Sequence, residues 1–219
     1  MSQKYSYSAL KQFNNCPRQY HEVKVLRAWP REETEQTIYG TALHLAAEEH
    51  VRDGKPLPPE FTFLQPVLDS LIAKPGTKHP ELELAVTREK KACDFDSPDV
   101  WVRGIADLVI LGGDMAWVID YKTGNAKYPD KDQLTMMALL LFAKYPQLKL
   151  VKSALLFVVK NVMVKHETHR TAANRIWQIF EEEIATIEGC HAKQVWTPKQ
   201  SGLCRKYCPV LTCEFNGRN

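Results

Sequence analysis

Three ionisable side chains stand where strand sequences ordinarily carry none. Asp107 lies inside VRGIADLVIL, and Asp120 and Lys122 lie inside WVIDYKTG, each among residues expected to be buried. A buried carboxylate is costly unless it is paired or bound to a metal. Asp120 and Lys122 are two residues apart, so a pleated strand turns both to one face. Gly112-Gly113-Asp114 reads as a hairpin turn between the two runs, which brings Asp107 alongside Asp120. Two carboxylates and an ammonium meeting at a point make a site for a hard divalent cation, Mg²⁺ or Mn²⁺. Such an ion polarises a phosphodiester and activates water, while Lys122 positions that water or offsets the charge developing on phosphorus. The competing structural reading is an Asp–Lys ion pair on a strand edge beside an unrelated Asp107. One DxK tripeptide says no more than that; an aspartate, twelve intervening residues and then DxK across a hairpin argue for the site.

Two further residues flank this group. His44, in GTALHLAAEEH, lies on a helix face opposite most of its polar neighbours. It reads as a satisfied core histidine or as a third protein ligand through its neutral imidazole. Gln133 leads into an apolar helix just after the DxK strand, where it either donates to a substrate backbone or simply begins the helix.

Cysteine marks a second centre. Of six cysteines, Cys204, Cys208 and Cys213 crowd into GLCRKYCPVLTCEF, with Gly202 and Pro209 to bend the backbone around them. Three thiolates leave a tetrahedral cluster one ligand short, and Cys16, in NNCPRQY, is the best fourth. The spacing suits an iron–sulfur cluster or a Cys₄ zinc site about equally, with inert buried thiols as the third reading. Cys93 and Cys190 stand alone and read as packing residues.

These groups need elements to hold them. Ser6 or Ser8 caps a short helix running to Asn15. Periodicity predicts helices over about 36–53, ended by Gly54, and from Pro66 through Ala73. It predicts strands over 81–87, 100–111 and 116–121, an apolar helix over 133–145, a buried strand over 153–160, an edge strand over 162–169 and an amphipathic helix over 171–191. That order gives an α/β domain with a mixed central sheet flanked by helices.

Composition bounds the rest. The chain has 219 residues, 44% hydrophobic and 25% charged, which suits one domain with a real core and excludes wholesale disorder. No apolar run is long enough for a membrane span, and MSQKYSYSAL lacks an apolar signal core, so the expectation is a soluble cytoplasmic protein. Residues 1–31 carry six Lys/Arg against Glu22 alone, and residues 193–219 carry five against Glu214 alone. If the cysteines joined them, these ends would form one cationic surface suited to phosphates.

Read in order, the motifs resemble those of the PD-(D/E)XK nucleases, in the RecB-like exonuclease branch that carries an iron–sulfur cluster. That branch includes CRISPR-associated exonucleases, the AddB nuclease domain and many phage exonucleases. SYSALKQFNNCPRQY is similar to the family's opening segment, GTALH to its histidine helix, RGIADLV and VIDYKTG to its two acidic strands, QLTMMALLL to its Q-x-x-x-Y helix, and the three terminal cysteines to its cluster motif. The resemblance covers nearly the whole chain.

It implies a restriction-endonuclease-like core over 36–192, with a helical insertion at about 36–75, and a basic cluster lobe formed by 1–31 and 193–219. It implies His44, Asp107, Asp120 and the Tyr121 carbonyl as ligands of Mg²⁺ or Mn²⁺, Lys122 as the catalytic lysine and Gln133 as a supporting residue. Cys16, Cys204, Cys208 and Cys213 would hold a [4Fe–4S] cluster, with zinc as the alternative. The expected activity is exonucleolytic hydrolysis of DNA, from single- or double-stranded ends. The alternatives are a structure-specific endonuclease using the same site and a catalytically silent DNA-binding accessory module of recombination. Two positions depart from the pattern. Met137 stands where the family has its tyrosine, and the cysteine gaps are three and four residues where many members have two and five. Glu81 or Glu83 falls where some members carry an acidic strand residue, and neither is assigned a role.

Overall fold

The computed structural model describes residues 3–29, 33–124, 126–127 and 129–217. They divide into two compact units. One is built from Thr34–Ile176 with Lys4, the other from the flanking segments Tyr5–Glu33 and Trp177–Asn219.

The first unit is organised by five strands, β1 (Thr77–Val86), β2 (Val102–Gly112), β3 (Met115–Lys122), β4 (Leu150–Phe157) and β5 (Val162–His169), hydrogen-bonded in that order. All neighbours are antiparallel except β3 and β4. A parallel pair needs a crossover, and the apolar run after the DxK strand supplies it as helix α5 (Asp132–Lys144). The sheet is therefore mixed, and helices cover both faces. Ala154 and Leu156 of β4 pack in one cluster with α3 (Glu35–Asp53) and α4 (Gln65–Ile72). Leu155 and Phe157 pack in another with Leu134 of α5. Alternation along one strand thus feeds two cores, as period two requires. Together these features make an α/β, restriction-endonuclease-like architecture.

Local signals set the boundaries. Thr34 caps α3 by accepting from Thr37 N at 3.3 Å, and Gly54 ends it at φ 68, in the left-handed region glycine enters at no steric cost. Gly113, at φ 61, takes the first central position of the two-residue β2–β3 turn, a place that favours glycine.

Two strands differ from the sequence reading. β1 begins at Thr77, before Pro80 rather than after it. Proline lacks a ladder donor, yet among the named strands β1 pairs only with β2, so at Pro80 its other side has no strand to supply. β4 spans 150–157, not 153–160, because its register against β3 runs from Met115↔Leu150 to Lys122↔Phe157 and ends with β3. Val159, expected in a buried strand, is 54% exposed.

The second unit holds α1 (Tyr7–Asn15), α2 (Pro17–Tyr20), a short π-helical turn at His21–Val25, and most of α6 (Ala173–Lys193). Ser6 caps α1, its hydroxyl accepting from Ala9 N at 3.4 Å. Trp177, Phe180, Ile184 and Ile187 give α6 its buried stripe. An aromatic group of Phe13, Tyr20 and Trp196, with His21 stacked on Trp196 at 4.6 Å, packs the unit further.

Candidate active site

Pairing between β2 and β3 runs from Gly112↔Met115 to Leu108↔Ile119 and then stops. Asp107 is the next residue of β2, so its side chain sits in the fork where the strands part. There its Oδ2 accepts a hydrogen bond from the backbone N–H of Tyr121 at 2.7 Å. His44, from α3, brings Nδ1 to 3.4 Å from the same oxygen.

Alternation then sorts the DxK strand. Ile119 and Tyr121 belong to the core beneath α3 and α4. Asp120 and Lys122 turn the other way, where Gln133 at the start of α5 meets them. Gln133 Nε2 donates to Asp120 Oδ1 at 2.6 Å, and Lys122 Nζ donates to Gln133 Oε1 at 3.0 Å. Lys122 Nζ also lies 2.6 Å from Asp120 Oδ2, which closes a triangle of carboxylate, amide and ammonium.

Among the described residues, one group of three metal-ligating side chains has its donor atoms within 4.8 Å of one another: His44, Glu81 and Asp107. Glu81 is the residue to which the sequence assigned no role. It sits in β1 at φ 48, a left-handed conformation uncommon outside glycine, and the β1–β2 register skips it between Pro80↔Leu108 and Leu82↔Ala106. The kink falls opposite Asp107 and directs the Glu81 carboxylate into the fork. Asp120 is not part of this triad; Gln133 and Lys122 contact its two oxygens. Tyr121 contributes its backbone N–H to Asp107.

Electrostatics mark the fork as short of positive charge. Burial, joined by the negative charge of Asp107, pushes Glu81 up to about 7. Burial and Asp107 likewise push Asp120 up to about 6, against the pull of Lys122. Burial works against a charged His44, but its hydrogen bond and charge contact with Asp107, aided by Asp120 and Glu81, outweigh it and raise its pKa. Carboxylates held apart from their protons only at such cost are the natural partners of a divalent cation. One imidazole and two carboxylates suit Mn²⁺ or Mg²⁺. The donor set fits.

Met137, at the position of the expected tyrosine, is buried and brings the site no hydroxyl. Its Cε and Sδ fill the space a side chain at Gly104 of β2 would occupy.

The cysteines gather in the second unit. Cys16, Cys204, Cys208 and Cys213 line one pocket, with Arg18 and Lys199 on its wall. Backbone N–H groups point at two of the sulfurs, Lys199 N to Cys16 Sγ and Ser201 N to Cys204 Sγ, each at 3.4 Å. Burial raises the Cys208 pKa, with the other three thiols adding to it. No three of these sulfurs lie within 4.8 Å of one another. Buried Asn216, which the sequence reading overlooked, donates to Cys208 O at 3.2 Å and Val210 O at 2.8 Å and so shapes the cysteine loop.

A family model described as the PD-(D/E)XK nuclease superfamily matches the chain over residues 4–93 and 64–213, two overlapping segments. No curated protein matches it. Among solved structures, SSO0001 superposes with a TM-score of 0.53 at 16% identity, covering 97% of this chain and 86% of that one. A protein of Eubacterium rectale named "putative exonuclease" superposes with a TM-score of 0.52 at 12% identity, covering 91% of this chain and 85% of that one. At those identities the likeness is one of fold.

Proposed function

The chain belongs to the PD-(D/E)XK nuclease superfamily, and we propose that within it the protein is a metal-dependent DNA exonuclease. One observation carries the reading: His44, Glu81 and Asp107 converge in the strand fork while Lys122 stands beside Asp120 and Gln133. The name of the Eubacterium rectale protein of like fold supports the exonucleolytic form.

In this mechanism His44, Glu81 and Asp107 would hold the divalent ion, with Asp120 and the Tyr121 carbonyl as further donors. The ion supplies Lewis acidity toward the scissile phosphate and lowers the pKa of water. Tyr121 N–H fixes the Asp107 carboxylate, so that oxygen does not swing with each substrate. Were Asp120 to join the ion's donors, its carboxylate would give up its contact with Lys122 Nζ. Lys122 is then free to face the phosphate, where its charge offsets what develops in the transition state. Gln133 Oε1 keeps an acceptor beside Nζ and so limits how far the lysine wanders.

In the second unit we propose a [4Fe–4S] cluster on Cys16, Cys204, Cys208 and Cys213. The pocket and the two N–H···S contacts support it. Such a cluster would tie α1 and α2 to the C-terminal loop.

Two assays test these readings. End-labelled linear DNA and covalently closed circular DNA are incubated with Mn²⁺, with EDTA as control. Loss of linear DNA alone supports an exonuclease, nicking of circles indicates an endonuclease, and no cleavage of either removes the nuclease reading. Iron and acid-labile sulfide are measured on anaerobically purified protein; zinc in their place would overturn the cluster.

A further inference from the structure

The cysteine loop of the second unit pushes apolar surface into solvent. Tyr207 is 67% exposed, the highest value for a large apolar side chain among the described residues, and Leu203 and Leu211 are 46% and 41% exposed. Single exposed apolar side chains are ordinary. Three exposed within nine residues of one loop are a concentration of apolar surface of the kind that marks binding sites.

Cations interleave it. Arg205 and Lys206, both exposed, separate Leu203 from Tyr207, and Lys199 precedes them. Against these, Glu214 is the sole acid in residues 193–219.

The platform is anchored. Ser201 Oγ accepts from Leu203 N at 3.3 Å, and Tyr207 N and Cys208 N both donate to Leu203 O, at 3.0 and 3.1 Å. Cys208 itself is buried, and Asn216 holds its carbonyl from below. Tyr207 therefore projects from a braced turn, and the backbone beneath its ring has little conformational freedom to lose when a partner settles there.

A flat exposed ring among cations has a specific complement. Cations alone attract the phosphates of paired and unpaired strands alike. A ring adds a surface on which an unpaired base stacks, whatever its identity, whereas a duplex keeps its base faces covered. We propose that residues 203–207 form a stacking platform for single-stranded DNA, with Tyr207 as its ring and Arg205 and Lys206 as its phosphate contacts. The choice of nucleic acid as ligand rests on the nuclease reading above.

The test is fluorescence anisotropy of a labelled oligothymidylate and of a labelled blunt duplex, titrated in EDTA with the full chain. Tyr207→Ala is expected to weaken oligothymidylate binding about tenfold and duplex binding by less than about twofold. Tyr207→Phe and Tyr207→Trp are expected to stay close to wild type, and unchanged thermal unfolding of each variant shows the fold intact. Wild-type oligothymidylate affinity in Tyr207→Ala overturns the proposal. So does an equal loss on both DNAs, or a change from dimer to monomer on sedimentation, which would make the patch a self-association surface. If wild-type protein shows Tyr207-dependent binding yet cleaves nothing when Mn²⁺ replaces EDTA, the nuclease reading falls and this one stands.

Discussion

The Asp107 carboxylate accepts a hydrogen bond from Tyr121 N at 2.7 Å, across the gap where β2 and β3 stop pairing. A strand fork has unpaired backbone groups by construction, and here one of them orients a metal-ligating side chain. That bond adds a side-chain link between the first acidic strand and the DxK strand, while the Asp107 carboxylate shares its candidate donor set with His44 and Glu81.

Glu81 completes that set, so its loss should be felt as loss of metal. Glu81→Gln is expected to raise the Mn²⁺ concentration for half-maximal cleavage by about tenfold or more. Glu83→Gln, two residues along and exposed, should leave it unchanged. A metal titration of cleavage on both variants checks this; equal behaviour would remove Glu81 from the site.

On the proposed reading, Lys122 and Gln133 serve the reaction and not the fold. Lys122→Ala and Asp120→Ala are each expected to lower cleavage by about a hundredfold or more, with DNA binding in EDTA largely retained. Gln133→Ala should cost less, because Asp120 keeps its 2.6 Å contact with Lys122. Single-turnover rates on linear DNA order the three variants, and wild-type rates in Lys122→Ala would refute the assignment.

The raised carboxylates predict how metal-free protein responds to pH. Unfolded, both carboxylates titrate near about 4. Folded, Asp120 is pushed up to about 6 and Glu81 to about 7 by burial and by Asp107. The folded state then binds more protons between about 4 and 7, so these groups favour it most at the bottom of that window. Their contribution is lost as pH rises through about 6 and then 7. The gain in melting temperature on adding Mn²⁺ should grow over the same window, since the ion competes with those protons. Melting curves from pH 5 to 8, with and without metal, measure both trends, and Glu81→Gln should flatten them.

Among the described residues, the Tyr121 hydroxyl is buried without a hydrogen-bond partner. Leaving such a group dry costs about 1–3 kcal/mol. Tyr121→Phe keeps the ring against His44, 6.0 Å away and edge-on, while removing the orphaned oxygen. Urea unfolding of the metal-free variant should show about 1 kcal/mol more stability than wild type. A loss of similar size would show that the hydroxyl has a partner in solution.

Much of the first unit was legible from residue order alone. The spacing of Asp120 and Lys122 fixes a shared face, because pleating alternates whatever surrounds it. Gly113 announces the β2–β3 turn, and the apolar run after the DxK strand announces the crossover helix, so Gln133 falls beside Asp120 and Lys122. Local rules do not decide Glu81 against Glu83. In ELELAV both glutamates have the same parity, and either could face the fork. The β1–β2 pairing and the left-handed kink at Glu81 chose between them, and both depend on strands brought together over some twenty-five residues. The same holds for Cys16, which shares a pocket with cysteines nearly two hundred residues away. Residue types and short spacings write the chemistry a chain has available. Which of two equivalent groups performs it is settled by long-range pairing, since only packing brings distant donors within reach of one ion.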